Sequence, residues 1–144
     1  MNVIFLDFNG VLDTYDRFDE IDSSNLHILL DAIILTDSKV VITSSNKDYF
    51  YRNGKHNEIM LNLINVLKSY NIDVLGYTKK LENREEEICE YLCSHPEIVH
   101  YCIIDDDYFF DSMSDHMVKL TSQNDGGNGL CETSSDEIVR KLNI

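Results

Sequence analysis

The sequence predicts an α/β domain built on a mainly parallel sheet. Short apolar runs alternate along the chain with segments whose apolar residues recur at helical spacing. Three of these apolar runs end abruptly on polar residues, as buried parallel strands do at the edge where ligands bind. The 144 residues show no internal repeat, linker or low-complexity tail, so residues 1–144 are expected to form one domain.

The first half of the chain predicts two strands and two helices. Ser23 or Ser24 caps the first helix, in which apolar residues recur at helical spacing. A polar segment before this helix is expected to form an irregular flap. In chain order the predicted elements are strand Asn2 to Leu6, flap Asp13 to Asp22, helix Ser23 to Ile34, strand Lys39 to Ile42, polar loop Asn46 to Asn57 and helix Glu58 to Tyr70.

The second half predicts three further strands and two helices. Asn83 caps a helix with Glu86 as its reciprocal partner, and Ser134 with Glu137 forms a second capping box. Gly126 to Gly129 is expected to form a flexible turn. The predicted elements are strand Ile72 to Leu75, helix Asn83 to Cys93, strand Ile98 to Ile104, strand His116 to Leu120 and a short terminal helix from Ser134.

Composition excludes several classes of function. Twelve basic against 26 acidic residues give a net charge of −14, which disfavours direct binding to nucleic acids or anionic membranes. No apolar run is long enough to span a bilayer and no signal peptide is predicted, so a cytoplasmic protein is expected. The four cysteines form no CxxC pair and are expected to be reduced thiols rather than zinc ligands.

The polar residues that follow three strands are expected to meet at one edge of the sheet. Asp7 follows the first strand, Thr43 and Ser44 follow the second, and Asp105-Asp106-Asp107 follow the fourth. The carboxyl ends of parallel strands share one edge, where open α/β sheets bind ligands. We therefore expect these groups to form one site, although they lie about 100 residues apart in sequence.

The chemistry of this set favours phosphoryl transfer with magnesium. Clustered carboxylates require a hard cation, and Mg²⁺ accepts one or two of them together with a carbonyl and waters. With the phosphate charge offset, an Asp carboxylate can attack phosphorus and form an aspartyl-phosphate. The hydroxyls of Thr43 or Ser44 and the amides around Phe8 to Gly10 are candidates to hold the transferring oxygens.

A cation is needed on the far side of the phosphoryl group. Arg84 is the first candidate, because it follows the Asn83 cap at a helix N-terminus, where free amides also favour anions. Three lysines compete for this assignment: Lys79, Lys80 and Lys47.

Four segments resemble the motifs of the haloacid dehalogenase (HAD) superfamily, and the resemblance covers essentially the whole chain. The detail is most similar to the small branch described as the HAD domain of Swiss Army Knife RNA repair proteins, which also has a late Gly-Leu like Gly129-Leu130. The four segments are Leu6-Asp7-Phe8-Asn9-Gly10-Val11-Leu12, Val40-Val41-Ile42-Thr43-Ser44-Ser45, Arg84-Glu85-Glu86-Glu87-Ile88 and Ile103-Ile104-Asp105-Asp106-Asp107.

The resemblance implies a Rossmann-like HAD fold and a role for each site residue. The fold is a three-layer α/β/α sandwich with a five-stranded sheet, and no stretch is long enough for an inserted cap domain. Asp7 is implied to be the nucleophile and a magnesium ligand, while Asn9 gives its backbone carbonyl to the metal. Thr43 binds the phosphoryl group, Arg84 offsets its charge, and Asp106 with Asp105 holds magnesium.

Asn9 departs from the family pattern, which has a second Asp at this position. In family phosphatases that Asp protonates the leaving group and then activates water, and an amide does neither. Three alternatives stay open. The enzyme is slow or specialised for a good leaving group, another acid such as Asp13 or Asp107 substitutes, or the protein binds phosphate without turnover. Replacing Asn9 with Asp is expected to raise activity if the missing acid is limiting.

Two aromatic clusters adjoin the predicted site. Tyr49-Phe50-Tyr51 is expected to pack on the sheet edge, with a substrate-facing loop as the alternative. Tyr108-Phe109-Phe110 either walls the pocket or anchors its loop.

The first hypothesis for function is a Mg²⁺-dependent phosphohydrolase that acts through Asp7 on a phosphorylated substrate of unknown identity. The alternatives are a phosphate- or nucleotide-binding module without turnover, and a protein-interaction domain that retains only the fold. Oligomeric state and pathway leave no signature in the sequence.

Overall fold

Five parallel strands form the sheet, and helices cover both of its faces. The computed structural model describes residues 1–43 and 55–143 of the chain. The strands are β1 (Asn2–Leu6), β2 (Lys39–Ile42), β3 (Val74–Tyr77), β4 (His100–Ile104) and β5 (Met117–Val118), in the sheet order β3-β2-β1-β4-β5. The predicted three-layer architecture is confirmed, and no inserted cap domain occurs within the described ranges.

The described residues form four α-helices, of which the first three connect successive strands from β1 to β4 and the last follows β5. They are α1 (Ser23–Thr36), α2 (Lys55–Ser69), α3 (Arg84–Ser94) and α4 (Ser134–Leu142). Two short 3₁₀ helices, Asp111–His116 and Gln123–Asp125, follow β4 and β5. Across the part of the chain that is described, no helix is both long and apolar enough to cross a membrane.

The core has two halves, one on each face of the sheet. Alternate residues of each buried strand point to opposite faces, so Ile4 and Leu6 of β1 pack on one side, and Val3 and Phe5 on the other. Buried side chains from α1, α2 and α4 fill the first half of the core. Ile88 of α3 helps to fill the second. Strands buried on both faces explain the continuous apolar runs in the sequence.

The residue predicted to cap α1 is wrong. Asp22, rather than Ser23 or Ser24, caps α1, because its carboxylate accepts from the amide of Asn25 at 3.0 Å. The Asp22 amide also donates to the carbonyl of Leu12 at 2.7 Å. The capping residue therefore precedes both predicted candidates, while the helix itself begins at Ser23 as predicted.

The capping box predicted at the start of α4 is not made. Thr133 occupies the cap position without a side-chain hydrogen bond. The Ser134 hydroxyl instead accepts from the Cys131 amide at 3.0 Å, and Glu137 accepts from the Lys119 amide at 3.1 Å. Both side chains that the sequence assigns to the cap thus have other partners, one in the preceding turn and one near β5.

Three other elements shift along the chain. The third strand starts at Val74 because the Ile72 amide donates to the carbonyl of Leu67 and so closes the end of α2. His116 belongs to a 3₁₀ helix and not to the fifth strand. Helix α2 already begins at Lys55, inside the predicted polar loop, while residues 46–54 of that loop, with Tyr49, Phe50 and Tyr51, lie outside the described residues.

The strand order creates the crevice in which the predicted site residues meet. From β1 the chain moves to β2 and β3 on one side, then crosses to β4 and β5 on the other. Ligands of open α/β sheets bind at such a switch point, outside the carboxyl ends of the strands. Here the switch point lies between β1 and β4, the strands that precede Asp7 and Asp105.

Candidate active site

Three aspartates meet at the carboxyl edge of β1 and β4. Oxygen atoms of Asp7, Asp105 and Asp106 all lie within 4.8 Å of one another. The sheet ladder sets their positions, because the Asp7 amide donates to the carbonyl of Ile104 at 3.1 Å. The convergence predicted from the strand ends is therefore present.

Arg84 reaches this cluster from the first turn of α3. Its Nη1 atom lies 3.0 Å from Oδ2 of Asp105 and 3.3 Å from Oγ1 of Thr43, which is fully buried. Its Nε atom lies 3.3 Å from Glu87, one turn further along the helix. The guanidinium is only 5% exposed, so water screens these interactions weakly.

The competing lysines are placed differently. Lys79 is exposed and pairs with Glu90 at 3.3 Å, and Lys80 is also exposed. Lys47 lies outside the described residues, as does Ser44. Of the four candidate cations, Arg84 is the one whose described contacts include the carboxylate cluster.

The acids of the site outnumber its cation. Burial, together with the nearby charge of Asp105, raises the pKa of Asp7 to about 8 against the opposing effect of Arg84. Burial raises the pKa of Asp106 to about 6, with Asp107 and Asp105 adding repulsion. Burial also raises the pKa of Asp105, and Arg84 opposes this.

This electrostatic imbalance fits a hard divalent cation. A bound cation would stabilise the ionised carboxylates, which otherwise take up protons because they are buried beside one another. Three carboxylate oxygens within 4.8 Å are the ligand type that Mg²⁺ prefers.

Backbone amides donate to all three carboxylates, that of Asp7 included. Oδ1 of Asp105 accepts from the amides of Asp107 at 3.0 Å and Tyr108 at 3.2 Å. Oδ2 of Asp106 accepts from the amide of Gln123 at 2.7 Å. These bonds fix the orientation of both side chains before any ligand binds.

Gly10 is required by the close approach of Asp106. It has a φ of 80°, and a Cβ at this position would overlap the Asp106 carboxylate. Glycine tolerates this backbone conformation and leaves room for the carboxylate.

Replacing Gly10 with alanine is expected to displace Asp106 and weaken magnesium binding. Gly126 provides a matched control, because its φ is 83° and a Cβ there would meet nothing within 4 Å. The control variant Gly126→Ala should lose only about 1–2 kcal/mol of stability, which is the cost of holding an alanine in the left-handed backbone conformation. Gly10→Ala should be less stable than this control in thermal unfolding, and magnesium should stabilise it less than wild type. Equal behaviour of the two variants would contradict the placement of Asp106.

Asn9 takes part in a hydrogen-bond network centred on Asp13. Its Nδ2 atom donates to Oδ2 of Asp13 at 2.6 Å and to Oδ1 of Asp19 at 2.9 Å. Asp13 is fully buried and also accepts from the amides of Gly10 at 2.7 Å and Asp19 at 2.9 Å. The side chain of Gln123 donates to the same carboxylate at 2.9 Å. We call this group the Asp13 network.

The contacts of Asp13 and Asp107 matter for the hypothesis that one of them replaces the acid missing at position 9. Four donors occupy the two oxygens of Asp13, which indicates a structural role for this side chain. Asp107 is exposed and accepts from the Ser122 hydroxyl at 2.6 Å. Both carboxyl groups accept hydrogen bonds within the protein, and the substitution of either for the acid at position 9 stays a prediction.

The amides of Phe8 and Gly10 donate to protein carboxylates. The Phe8 amide lies 2.8 Å from Oδ1 of Asp7, and the Gly10 amide lies 2.7 Å from Oδ1 of Asp13. Their assignment to a phosphoryl group stays a prediction, as does the assignment of the Asn9 carbonyl to a metal.

Two residues of the site were not predicted from the sequence. Glu87 is buried, pairs with Arg84 and accepts from the Leu81 amide at 3.1 Å. Its i,i+3 spacing from Arg84 was the available signal. Gln123 joins Asp106 to the Asp13 network, and nothing in the local sequence indicates this link.

The fold and the arrangement of these side chains define a HAD-like domain, the class that the sequence motifs indicate. The family described as "HAD domain in Swiss Army Knife RNA repair proteins" has a profile that matches residues 3–127, and the chain belongs to this family. Comparisons with curated proteins and with solved structures gave no match.

Proposed function

We propose that the protein is a Mg²⁺-dependent phosphohydrolase that acts through an aspartyl-phosphate on Asp7. The observation that carries the proposal is the cluster of Asp7, Asp105 and Asp106 oxygens within 4.8 Å beside the buried guanidinium of Arg84. Membership of the HAD family supports a hydrolase of this class.

The site residues divide between metal binding, attack on phosphorus and binding of the phosphoryl oxygens in the proposed reaction. Asp7, Asp105 and Asp106, with the Asn9 carbonyl, would hold the magnesium ion, which when bound offsets phosphate charge. A carboxylate oxygen of Asp7 forms a bond to phosphorus while the bond from phosphorus to the leaving oxygen breaks. Arg84 and Thr43 bind the transferring oxygens, for which Arg84 is suited by its buried charge. Water then attacks phosphorus, which releases phosphate and restores the Asp7 carboxylate.

A second candidate is a phosphate-binding module without turnover. The observation that favours it is Asn9, an amide that carries no transferable proton and whose Nδ2 is engaged by Asp13 and Asp19. General acid–base catalysis is worth about 100- to 10,000-fold, so its loss leaves binding intact while slowing chemistry. This candidate predicts magnesium-dependent retention of a phosphoryl ligand with no product over hours.

The proposed substrate is a phosphorylated molecule that reaches an edge of the sheet without a cap domain over it in the described residues. The family description names RNA repair, which makes nucleic-acid ends one class to test. The net charge of −14 opposes direct binding of a polyphosphate chain unless a basic partner supplies the missing charge. We propose a cytoplasmic site of action on the sequence grounds given above.

Hydrolysis of p-nitrophenyl phosphate is expected to require magnesium, with an apparent affinity for the ion that rises with pH. Protons compete with the ion for Asp7, with a pKa of about 8, and for Asp106, with a pKa of about 6. Between about pH 6 and 8 the affinity should rise about tenfold per pH unit, since binding displaces one proton from Asp7. A magnesium titration at several pH values measures this. Turnover in the presence of chelator would contradict the proposal.

The same pKa values fix the sign of the stability change. Both are raised above the unfolded value of 3.8, so the metal-free fold is favoured at low pH and loses stability as pH rises through about 6 and 8. Magnesium should offset this loss, and thermal unfolding with and without the ion across this pH range checks the sign.

A further inference from the structure

A pocket of about 360 Å³ opens directly beside the carboxylate cluster. Asp105 and Asp106 belong to both the pocket lining and the cluster, so the pocket adjoins the proposed reaction centre. Aromatic and aliphatic side chains form most of the remaining wall. The volume of the pocket lies within the range typical of small-molecule sites. The other lining residues are Asp107, Tyr108, Phe109, Met117, Val118, Lys119 and Leu120.

Two large aromatic side chains of this wall are exposed. Phe109 is 53% and Tyr108 is 46% exposed, whereas Phe110 beside them is buried and anchors the loop. The Tyr108 ring also lies 5.1 Å from the guanidinium carbon of Arg84, which orients it at the edge of the site. Met117 and Val118, which also line the pocket, are buried apolar residues. An aromatic group would bury this surface and gain ring contacts there.

The residues near Asp7 also constrain the leaving group. Asn9 carries an amide, and four donors occupy the carboxylate of Asp13. A leaving oxygen that receives no proton from these groups departs as an anion. An aromatic alcohol has a pKa of about 10, as in tyrosine, and so forms this anion far more readily than an aliphatic alcohol, which is a much weaker acid, close to water.

We infer that this pocket receives the aromatic leaving group of an aryl phosphate monoester. The inference rests on the proposed function and adds the substrate class. The Asp7 oxygen forms its bond to phosphorus, the aryl oxygen–phosphorus bond breaks, and the electron pair stays on the aryl oxide, which takes its proton from water. Lys119, the cation among the lining residues, places a positive charge on the pocket wall.

The test compares matched aryl and alkyl ligands in the full chain. Phenylphosphonate and methylphosphonate, which are not hydrolysed, are titrated calorimetrically in the presence of magnesium. Phenyl phosphate and ethyl phosphate are compared as substrates by kcat/KM. Wild type should bind the phenyl ligand more tightly and prefer the phenyl ester. Phe109→Ala should lower both aryl-to-alkyl ratios by about tenfold, the size expected for one lost aromatic contact.

Leu35→Ala is the matched control, because Leu35 is 72% exposed near the C-terminal end of α1, away from the pocket. This variant should keep both ratios of wild type. Equal binding of the two phosphonates, an alkyl preference, or ratios unchanged in Phe109→Ala would overturn the inference.

The readouts separate this inference from the proposed function. Preferential phenylphosphonate binding that Phe109→Ala removes, together with no turnover of any ester, would support the pocket and overturn the hydrolase. Turnover with no aryl preference would support the hydrolase and overturn the pocket. Failure of both phosphonates to bind with magnesium would overturn both.

Discussion

Replacing Asp7 with asparagine is expected to remove measurable phosphatase activity. The amide cannot form the aspartyl-phosphate, and loss of a catalytic nucleophile in other hydrolases costs on the order of 10⁶-fold in kcat. The geometry around the position should survive, because the Asn oxygen can still accept the Phe8 amide that now bonds to Oδ1 of Asp7. Undiminished turnover in Asp7→Asn would rule out the mechanism.

The same variant should be more stable than wild type without magnesium. Asp7 is 8% exposed, and its pKa of about 8 reflects the cost of holding a charge beside Asp105 in a buried site. Asparagine removes that charge, which should raise the free energy of unfolding by roughly 2 kcal/mol at pH 8. Asp31→Asn, an exposed change on α1, is the control and should alter neither property. If the variant lost activity because it unfolded, its stability would fall. Lost activity together with raised stability therefore identifies Asp7 as a catalytic residue.

Replacing Asn9 with aspartate is expected to destabilise the flap rather than simply restore an acid. The change removes two donated hydrogen bonds and puts a third carboxylate against Asp13 and Asp19. Hydrogen bonds to charged groups contribute about 1.5–3 kcal/mol each, so a loss of roughly 3 kcal/mol is expected. Urea unfolding measures this loss, and it should shrink at low pH, where the new acid is protonated.

Exchanging the two side chains separates stability from catalysis. In Asn9→Asp with Asp13→Asn, the amide at position 13 can donate to the new acid while its oxygen still accepts from Gly10 and Gln123. The amide of Asp19, which donates to Oδ2 of Asp13 in wild type, loses its acceptor. The exchange should recover part of the lost stability, and its activity should exceed that of wild type if the missing acid limits the rate. Equal stability of the single and the exchanged variants would contradict the role of Asn9 in the Asp13 network.

The positions of Asp7, Thr43 and Asp105 were predictable because topology alone brings them together. Each follows a buried parallel strand, and the ladder continues into the site through the amides of Asp7 and Thr43, which donate to Ile104 and Leu6. The position of Arg84 was also predictable, because the Asn83 cap fixes where α3 begins. The carboxamide of Asn83 accepts from the Glu86 amide at 2.9 Å.

The Asp13 network and the pocket were not predictable from the sequence. Gln123 lies 110 residues from Asp13 and contributes one amide and one side chain, which leaves no periodic pattern to detect. The prediction of a capping box at α4 failed for the same reason, because Glu137 accepts from the Lys119 amide in a different part of the fold. Local patterns specify elements, whereas side-chain partners across loops depend on the packed structure.

The most direct test of the account is to identify the phosphorylated residue. Protein mixed with excess p-nitrophenyl phosphate and magnesium is quenched in acid within one turnover, digested, and analysed by mass spectrometry. We expect one added phosphoryl group on the peptide that contains Asp7, lost on treatment with hydroxylamine and absent without magnesium or in Asp7→Asn. Release of p-nitrophenol with no phosphoryl group on Asp7, or with the group on another residue, would contradict the assignment of Asp7 as the nucleophile.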